Sequence, residues 1–563
     1  RVLTMHDLVI KNAVIYDGSG EAPQHAALAV SEGRVAEIGS DVGGGHEVVN
    51  AEGLALAPGI IDTHTHYDAQ VTWDPWLDPS SRLGVTTVVM GNCGFTVAPC
   101  KPQHRAATAR NLCNVEGMSI EALREGMRWE FESFGNYLDH LESRGVGLNV
   151  ACFAGHSSIR TWVMGDDATE RAATADEIAA MADLVREAMA AGAIGFATST
   201  FEGHNGAGGV PMPSRLAKQD ELQALVVAMA EGDRGTFMLT RGSGSRLSFL
   251  ESLAEMARRP VIVAALLHNP LNDQTTTRAM QKIGEANSRG HELYGQVSCC
   301  PLTLDFTLYN PYMMEAFDSW KPIMEAKPED LPRLYRDPEL RAAVKAEIAE
   351  PGKITAFTGD WSGIKVAEVA DPANRDKEGR DIAGLAAEAG VDPLDWILDF
   401  GLSEDMKTTF ASVLLNADSQ AVGKLLSDPY STIALSDAGA HLTFFCDAGF
   451  GLNLYGSWVR ERGLFSLERA IYEMTGRQAD IYRIRGRGRL RPGAWADMML
   501  FDPTTVARSP NLRVHDLPAG ASRLVCDAEG LHGVWVNGSH IANAGGLITN
   551  GALPGAVIRK FDS

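Results

Sequence analysis

Four residues could together hold a metal ion and put it to use. His64 and His66 stand one residue apart at the end of a short apolar run, Gly59-Ile60-Ile61. Two positions apart on a strand face the same side, so both imidazoles can reach one point. Cys93 sits in Gly91-Asn92-Cys93-Gly94, just after the apolar run 85–90. Its flanking glycines let a bound group approach the backbone closely, and a thiolate is a strong zinc ligand. Asp437 follows the run 432–436. Its carboxylate can ligate a metal and accept a proton from an activated water. Three or four such ligands around an open position make a catalytic zinc centre, not a closed structural one. One zinc per chain is the expectation, although His, Cys and Asp also accept iron, cobalt or manganese.

These side chains meet only if strands carry them to one place. From Pro58 onward, strand-like runs alternate with amphipathic helices, the pattern of βαβ units around a parallel sheet. Eight candidate strands follow: 59–63, 85–90, 148–153, 194–198, 236–240, 261–267, 293–298 and 432–436. The predicted fold is α/β, a (β/α)8 TIM-like barrel over 58–479 with its site at the C-terminal ends of the strands. A helix after the third strand carries a capping box, Thr174 with Glu177, and stops at Gly192. Between strands seven and eight, 301–430 holds helical segments and Pro- and Gly-rich joints. This is too long for a structureless loop, and it is read as an inserted helical lid subdomain. Short alternating strands occupy 1–57 and return over 480–563, with hairpin signals at Glu32-Gly33 and Asn537-Gly538.

Composition narrows the function classes. A net charge of −22 with dispersed basic residues argues against nucleic acid or an anionic membrane as partner. Eight cysteines show no framework spacing, and no apolar run is long enough to span a bilayer. The expectation is a cytoplasmic protein with a small-molecule substrate; self-association as a homo-oligomer is left open.

Pro58-Gly59-Ile60-Ile61-Asp62 ahead of His64-Thr65-His66 resembles the first barrel strand of the amidohydrolase superfamily of metal-dependent hydrolases. Gly91-Asn92-Cys93-Gly94, Val97-Ala98-Pro99, Gly192-Ala193-Ile194-Gly195-Phe196 and Ser436-Asp437 resemble the D-aminoacylase (N-acyl-D-amino-acid deacylase) family, and the likeness runs from about Asp7 to Gly538. The resemblance implies hydrolysis of an amide bond on an N-acyl-amino acid or related N-acyl compound, with Asp437 as general base and then acid. It also implies that the two chain ends pair into one small β-sandwich, with Pro492-Gly493-Ala494-Trp495-Ala496-Asp497 leading into its second part.

The departures from the family pattern are as informative. Its strand-five and strand-six histidines, which hold a second metal with the cysteine, are missing. Aligned on Arg241, Leu239 stands for the first, and alanine occupies the likely position of the second. His268, three residues further on, is a replacement ligand reaching inward from a shifted strand end, a substrate contact or a loop residue. Arg241 could anchor a substrate carboxylate through two parallel hydrogen bonds, or pair with an acid of the lid. His156, in Ala154-Gly155-His156, is a substrate or oxyanion contact or a packing residue. After Asp437 the family carries an Arg-containing segment; here 438–450 is apolar, which suggests a larger or greasier substrate. The same ligand set would serve a lactonase or a lyase, and the missing ligands raise a metal-free binding barrel as a further alternative.

Overall fold

A computed structural model of the chain describes residues 5–561, apart from 207–208, 271, 310, 312–313, 315–316, 351–356, 358 and 550. Two compact units emerge, one of residues 1–266, 277–299 and 423–563, the other of 267–276 and 300–422.

In the first unit both chain ends share one nine-stranded sheet. Its long strand Met5–Ile15 pairs antiparallel with Gln24–Ser31. The hairpin beyond turns through Glu32 (φ 51°) and Gly33 (φ 72°), the two left-handed residues such a tight turn demands. Ala55–Pro58 lies parallel to the end of Met5–Ile15 and antiparallel to Met498–Phe501, so the amino- and carboxyl-terminal parts join there. Leu8, Ile10, Leu28, Leu56, Met498, Leu500 and Trp535 form the buried core of this sheet. The chain leaves it at Gly59, where an added Cβ would lie 2.1 Å from the Thr86 methyl group. Only glycine lets the backbone pass into the barrel at that point.

The barrel strands are β1 (Ile60–Asp62), β2 (Val85–Met90), β3 (Asn149–Gly155), β4 (Gly195–Ser199), β5 (Thr236–Thr240), β6 (Val261–Ala264), β7 (Leu293–Val297) and β8 (Ser431–Ile433). They are parallel and hydrogen-bonded in sequence order. The ring closes at its C-terminal end, where Thr65 bridges Ala438 in parallel and the His66 amide donates to the Ala438 carbonyl at 2.7 Å. Most strand residues are fully buried, as expected of parallel strands covered on both faces. The helix Ala175–Ala191 has the predicted capping box, and Gly192 (φ 112°) ends it.

Two strands stop well short of their expected ends. β6 stops at Ala264 and not at Leu267. β8 covers only 431–433; beyond it Leu435 (φ 67°) and Asp437 (φ 46°) take left-handed conformations that a continuing strand cannot accommodate.

The second unit has its own apolar core, including Phe306, Trp320, Tyr335, Ile364, Leu394 and Phe410. Helices Pro338–Ile348, Ile382–Ala389 and Pro393–Ser403 lie in the stretch read as holding helical segments. An antiparallel sheet of Leu302–Phe306, Thr409–Leu415 and Ile364–Glu368 was not. This unit also recruits the short stretch after β6. His268 belongs to it, its backbone exchanging hydrogen bonds with the amide group and side chain of Asn416. Among the described residues, no helix is long and apolar enough to cross a membrane.

Candidate metal centre

β1 ends at Asp62, and the next four residues deliver the histidines. The ligand atoms of His64, His66 and Cys93 lie within 4.8 Å of one another, all buried. Asp437 Oδ1 joins them at 3.2 Å from His64 Nε2 and 3.6 Å from His66 Nε2. Ser436 fixes the approach of β8 to β1: its hydroxyl donates to Asp62 Oδ2 at 2.6 Å and accepts from the Ala438 amide at 3.1 Å. The chain then runs over His66 so closely that a Cβ on Gly439 would lie 2.7 Å from the His66 carbonyl group.

Each imidazole is held from behind. His64 Nδ1 donates to Gln296 Oε1 at 2.7 Å, and Gln296 Nε2 donates in turn to the Tyr482 hydroxyl at 2.9 Å. This leaves the His64 Nε2 lone pair facing inward. His66 Nδ1 lies 3.1 Å from Glu116 Oε1, a carboxylate only 3% exposed. The two atoms are not aligned for a hydrogen bond, so the contact is one of charge. An outer carboxylate or amide on the far nitrogen is how metal-binding histidines are oriented.

Cys93 is presented by a tight turn. Gly91 (φ 81°), Cys93 (φ 57°) and Gly94 (φ 75°) are all left-handed. A Cβ on Gly94 would lie 2.6 Å from the Ala197 carbonyl oxygen, so the turn is pressed against β4. Asn92 Nδ2 braces it on the Val89 carbonyl at 2.9 Å. The thiol lies 3.7 Å from His64 Nε2 and 3.0 Å from Thr240 Oγ1 at the end of β5. Thus Thr240, one residue beyond Leu239, is the strand-five side chain that faces the sulfur.

The electrostatics suit a cation. Burial would raise the Asp437 carboxyl, but the His64 and His66 rings outweigh it and hold it below the usual carboxylate range. Burial would drive protons off the imidazoles, yet Asp437 beside His64 and Glu116 beside His66 raise both above an ordinary histidine. Burial also opposes the Cys93 thiolate, and bonding to His64 and His66 overcomes it. The Asp437 carboxylate, the Glu116 side chain and the Cys93 sulfur therefore gather around two rings, whose protons would offset the negative charge. A divalent ion would supply that compensation while the rings act as neutral ligands. The donor set fits such an ion.

The remaining predicted residues separate. Arg241, directly after Thr240, is half-buried with no side-chain partner among the described residues, and burial pushes its guanidinium down. His156 is wholly buried, with Nδ1 on Thr198 Oγ1 at 2.7 Å and Nε2 on Glu221 Oε1 at 2.8 Å; Arg160 also binds Glu221 at 2.6 Å. Both ring nitrogens are engaged, so the substrate-contact reading gives way to the packing one. His268 is not among the residues whose ligand atoms converge, because the strand that was to present it ends four residues earlier.

Sequence reasoning missed Glu116, Gln296, Thr240 and His204. A lone glutamine in a buried apolar strand was a usable signal for Gln296. Glu116 and His204 lie in loops without any pattern. His204, in the loop after β4, bonds through Nδ1 to Ser199 Oγ at 2.6 Å and meets the rings of Phe95 and Phe201 edge to face.

Comparison with known proteins places these features in context. The amidohydrolase family profile matches residues 47–542. D-aminoacylase of Alcaligenes xylosoxydans xylosoxydans is 28% identical over 544 residues, covering 95% of this chain and 94% of that protein. An uncharacterised protein of Mycobacterium tuberculosis is 29% identical over 542 residues, covering 90% and 86%. Among solved structures, N-acyl-D-glutamate deacylase from Bordetella bronchiseptica, complexed with zinc and a phosphonate mimic of the tetrahedral intermediate, superposes with a TM-score of 0.66 at 25% identity. That match covers 99% of this chain and 100% of the other. A D-aminoacylase structure gives 0.65 at 23% identity with the same coverage, which shows a shared fold.

Proposed function

The chain belongs to the amidohydrolase family and is a hydrolase of carbon–nitrogen bonds other than peptide bonds, and from that premise we propose that it is a metal-dependent deacylase of N-acyl-D-amino acids. The observation that carries this reading is the convergence of His64, His66 and Cys93 within 4.8 Å, with Asp437 against both histidines. His64, His66 and Asp437 would hold a single divalent metal, zinc by preference, with Cys93 beside them. Such an ion supplies Lewis acidity, lowering the pKa of water toward neutrality and polarising a carbonyl.

This chain's own residues do the rest. Gln296 and Glu116 keep the ring nitrogens aimed inward. Asp437 takes the proton of the attacking water and delivers it to the leaving nitrogen, so that water and amide become carboxylic acid and amine. Arg241, directly after β5 and without a side-chain partner among the described residues, receives the α-carboxylate of the substrate. That a threonine, Thr240, and not a histidine faces the Cys93 sulfur at the end of β5 supports one metal per chain and not two. Hydrolysis of a panel of N-acetyl-D- and L-amino acids by the wild type and Asp437→Asn tests the reading. Turnover of D-substrates, abolished by Asp437→Asn, is expected; lactone cleavage without amide cleavage would overturn it.

A further inference from the structure

His204 is used by nothing in the chemistry above, yet two independent lines of contact tie it to the neighbourhood of Cys93. Through one line, His204 Nδ1 bonds to Ser199 Oγ at 2.6 Å; Ser199 is the register partner of Thr240, whose hydroxyl lies 3.0 Å from the Cys93 sulfur. Through the other, the His204 ring stands edge-on to Phe95, with centroids 4.9 Å apart, and Phe95 lies two residues after Cys93 in the same turn. On its other side Phe201 packs edge-on at 5.2 Å, so the ring is clamped.

The hydrogen bonds favour one tautomer. Ser199 Oγ accepts from the Phe201 amide at 3.2 Å, and among the described residues His204 Nδ1 is the acceptor within reach of its own proton. Nδ1 is then the acceptor and Nε2 carries the hydrogen. Burial, followed by the neighbouring His441 and His66 rings, pushes His204 down to about 3, so it stays neutral. A neutral imidazole with a fixed N–H suits an oxygen that gains negative charge during the reaction, because no charge is neutralised before that moment.

We propose that His204 is a further catalytic residue, its Nε2–H donating to the acyl oxygen of the substrate as the tetrahedral intermediate forms, with Ser199 as the residue that positions it. This rests on the deacylase reading above.

The test compares wild type, His204→Phe, His204→Gln and Ser199→Ala for kcat and KM on N-acetyl-D-amino acids. Alongside run metal content and affinity for the N-(methylphosphonyl) analogue, a tetrahedral mimic. His204→Phe should lower kcat by about 10²–10³-fold with KM within threefold, weaken the analogue by a similar factor, and leave metal content unchanged. His204→Gln, which keeps a donor, should retain most of the rate. Ser199→Ala should lower kcat by about tenfold with KM and metal content unchanged, since it frees the tautomer. A His204→Phe enzyme with wild-type kcat, or one in which only KM rises, would overturn the role of His204 and leave the deacylase reading standing. A metal-loaded wild type inactive on every N-acyl-D-amino acid would overturn both.

Discussion

Replacing Glu116 by Gln probes how the centre is built. Glu116 Oε1 lies 3.1 Å from His66 Nδ1, with both side chains almost wholly buried. At an effective dielectric of about 20, a full charge pair at that distance is worth about 5 kcal/mol, an upper bound for a misaligned contact. With a metal in place the ring is neutral at Nε2 and the carboxylate acts on the N–H dipole, so the fitting scale is that of outer carboxylates on metal-binding histidines. Their loss weakens metal binding by about 10–100-fold, or about 1.4–2.8 kcal/mol. Glutamine keeps the shape and an acceptor oxygen but removes the charge. Titrating metal-free protein with zinc against a chromophoric chelator reads the constant directly. The expected result is zinc affinity about 10–100-fold weaker, with the fold retained by circular dichroism. Unchanged affinity would refute the assignment of His66 Nε2 as a ligand atom oriented from behind by Glu116.

Other consequences are measurable. Glu221→Gln leaves Arg160 and His156 buried without their shared carboxylate, so stability to urea should fall by about 3–5 kcal/mol while KM and metal content hold. His156 is held below its ordinary value by burial despite Glu221. The unfolded chain therefore binds more protons as pH falls below about 6.5, and stability should decline over that window by a margin that His156→Asn reduces. Arg241→Ala should raise KM for an N-acyl-D-amino acid by about 10–100-fold, the scale of a lost charge-assisted bond, and leave the α-carboxamide analogue unaffected. Equal effects on both substrates would refute the carboxylate contact.

Much of the centre was legible because its strings are local. Strand-then-His-x-His, glycine-flanked Cys93 and Asp437 after the last strand each announce themselves within a dozen residues, and the barrel's alternation supplies the common end at which they meet. What was not legible arrives through tertiary contact. Glu116 reaches His66 from the end of helix Arg105–Val115, and Thr240 faces Cys93 because of the register of β5, not its residue type. The short β8 was overread because Ala434 and Leu435 continue the apolar run, while the left-handed turn at Leu435 leaves no mark on composition. The antiparallel sheet of the second unit joins 302–306 to 409–415 and 364–368, pairings over distances that local pattern does not encode.

The most direct test is the metal content per chain of protein purified without added metal, measured by elemental analysis for wild type, His64→Ala, Cys93→Ala and Asp437→Ala. The account predicts about one divalent ion per wild-type chain, with zinc the expected ion, and loss of that ion in His64→Ala and Asp437→Ala, with weakened retention in Cys93→Ala. Two ions per chain would contradict the single site. No ion even after reconstitution would contradict the metal centre itself.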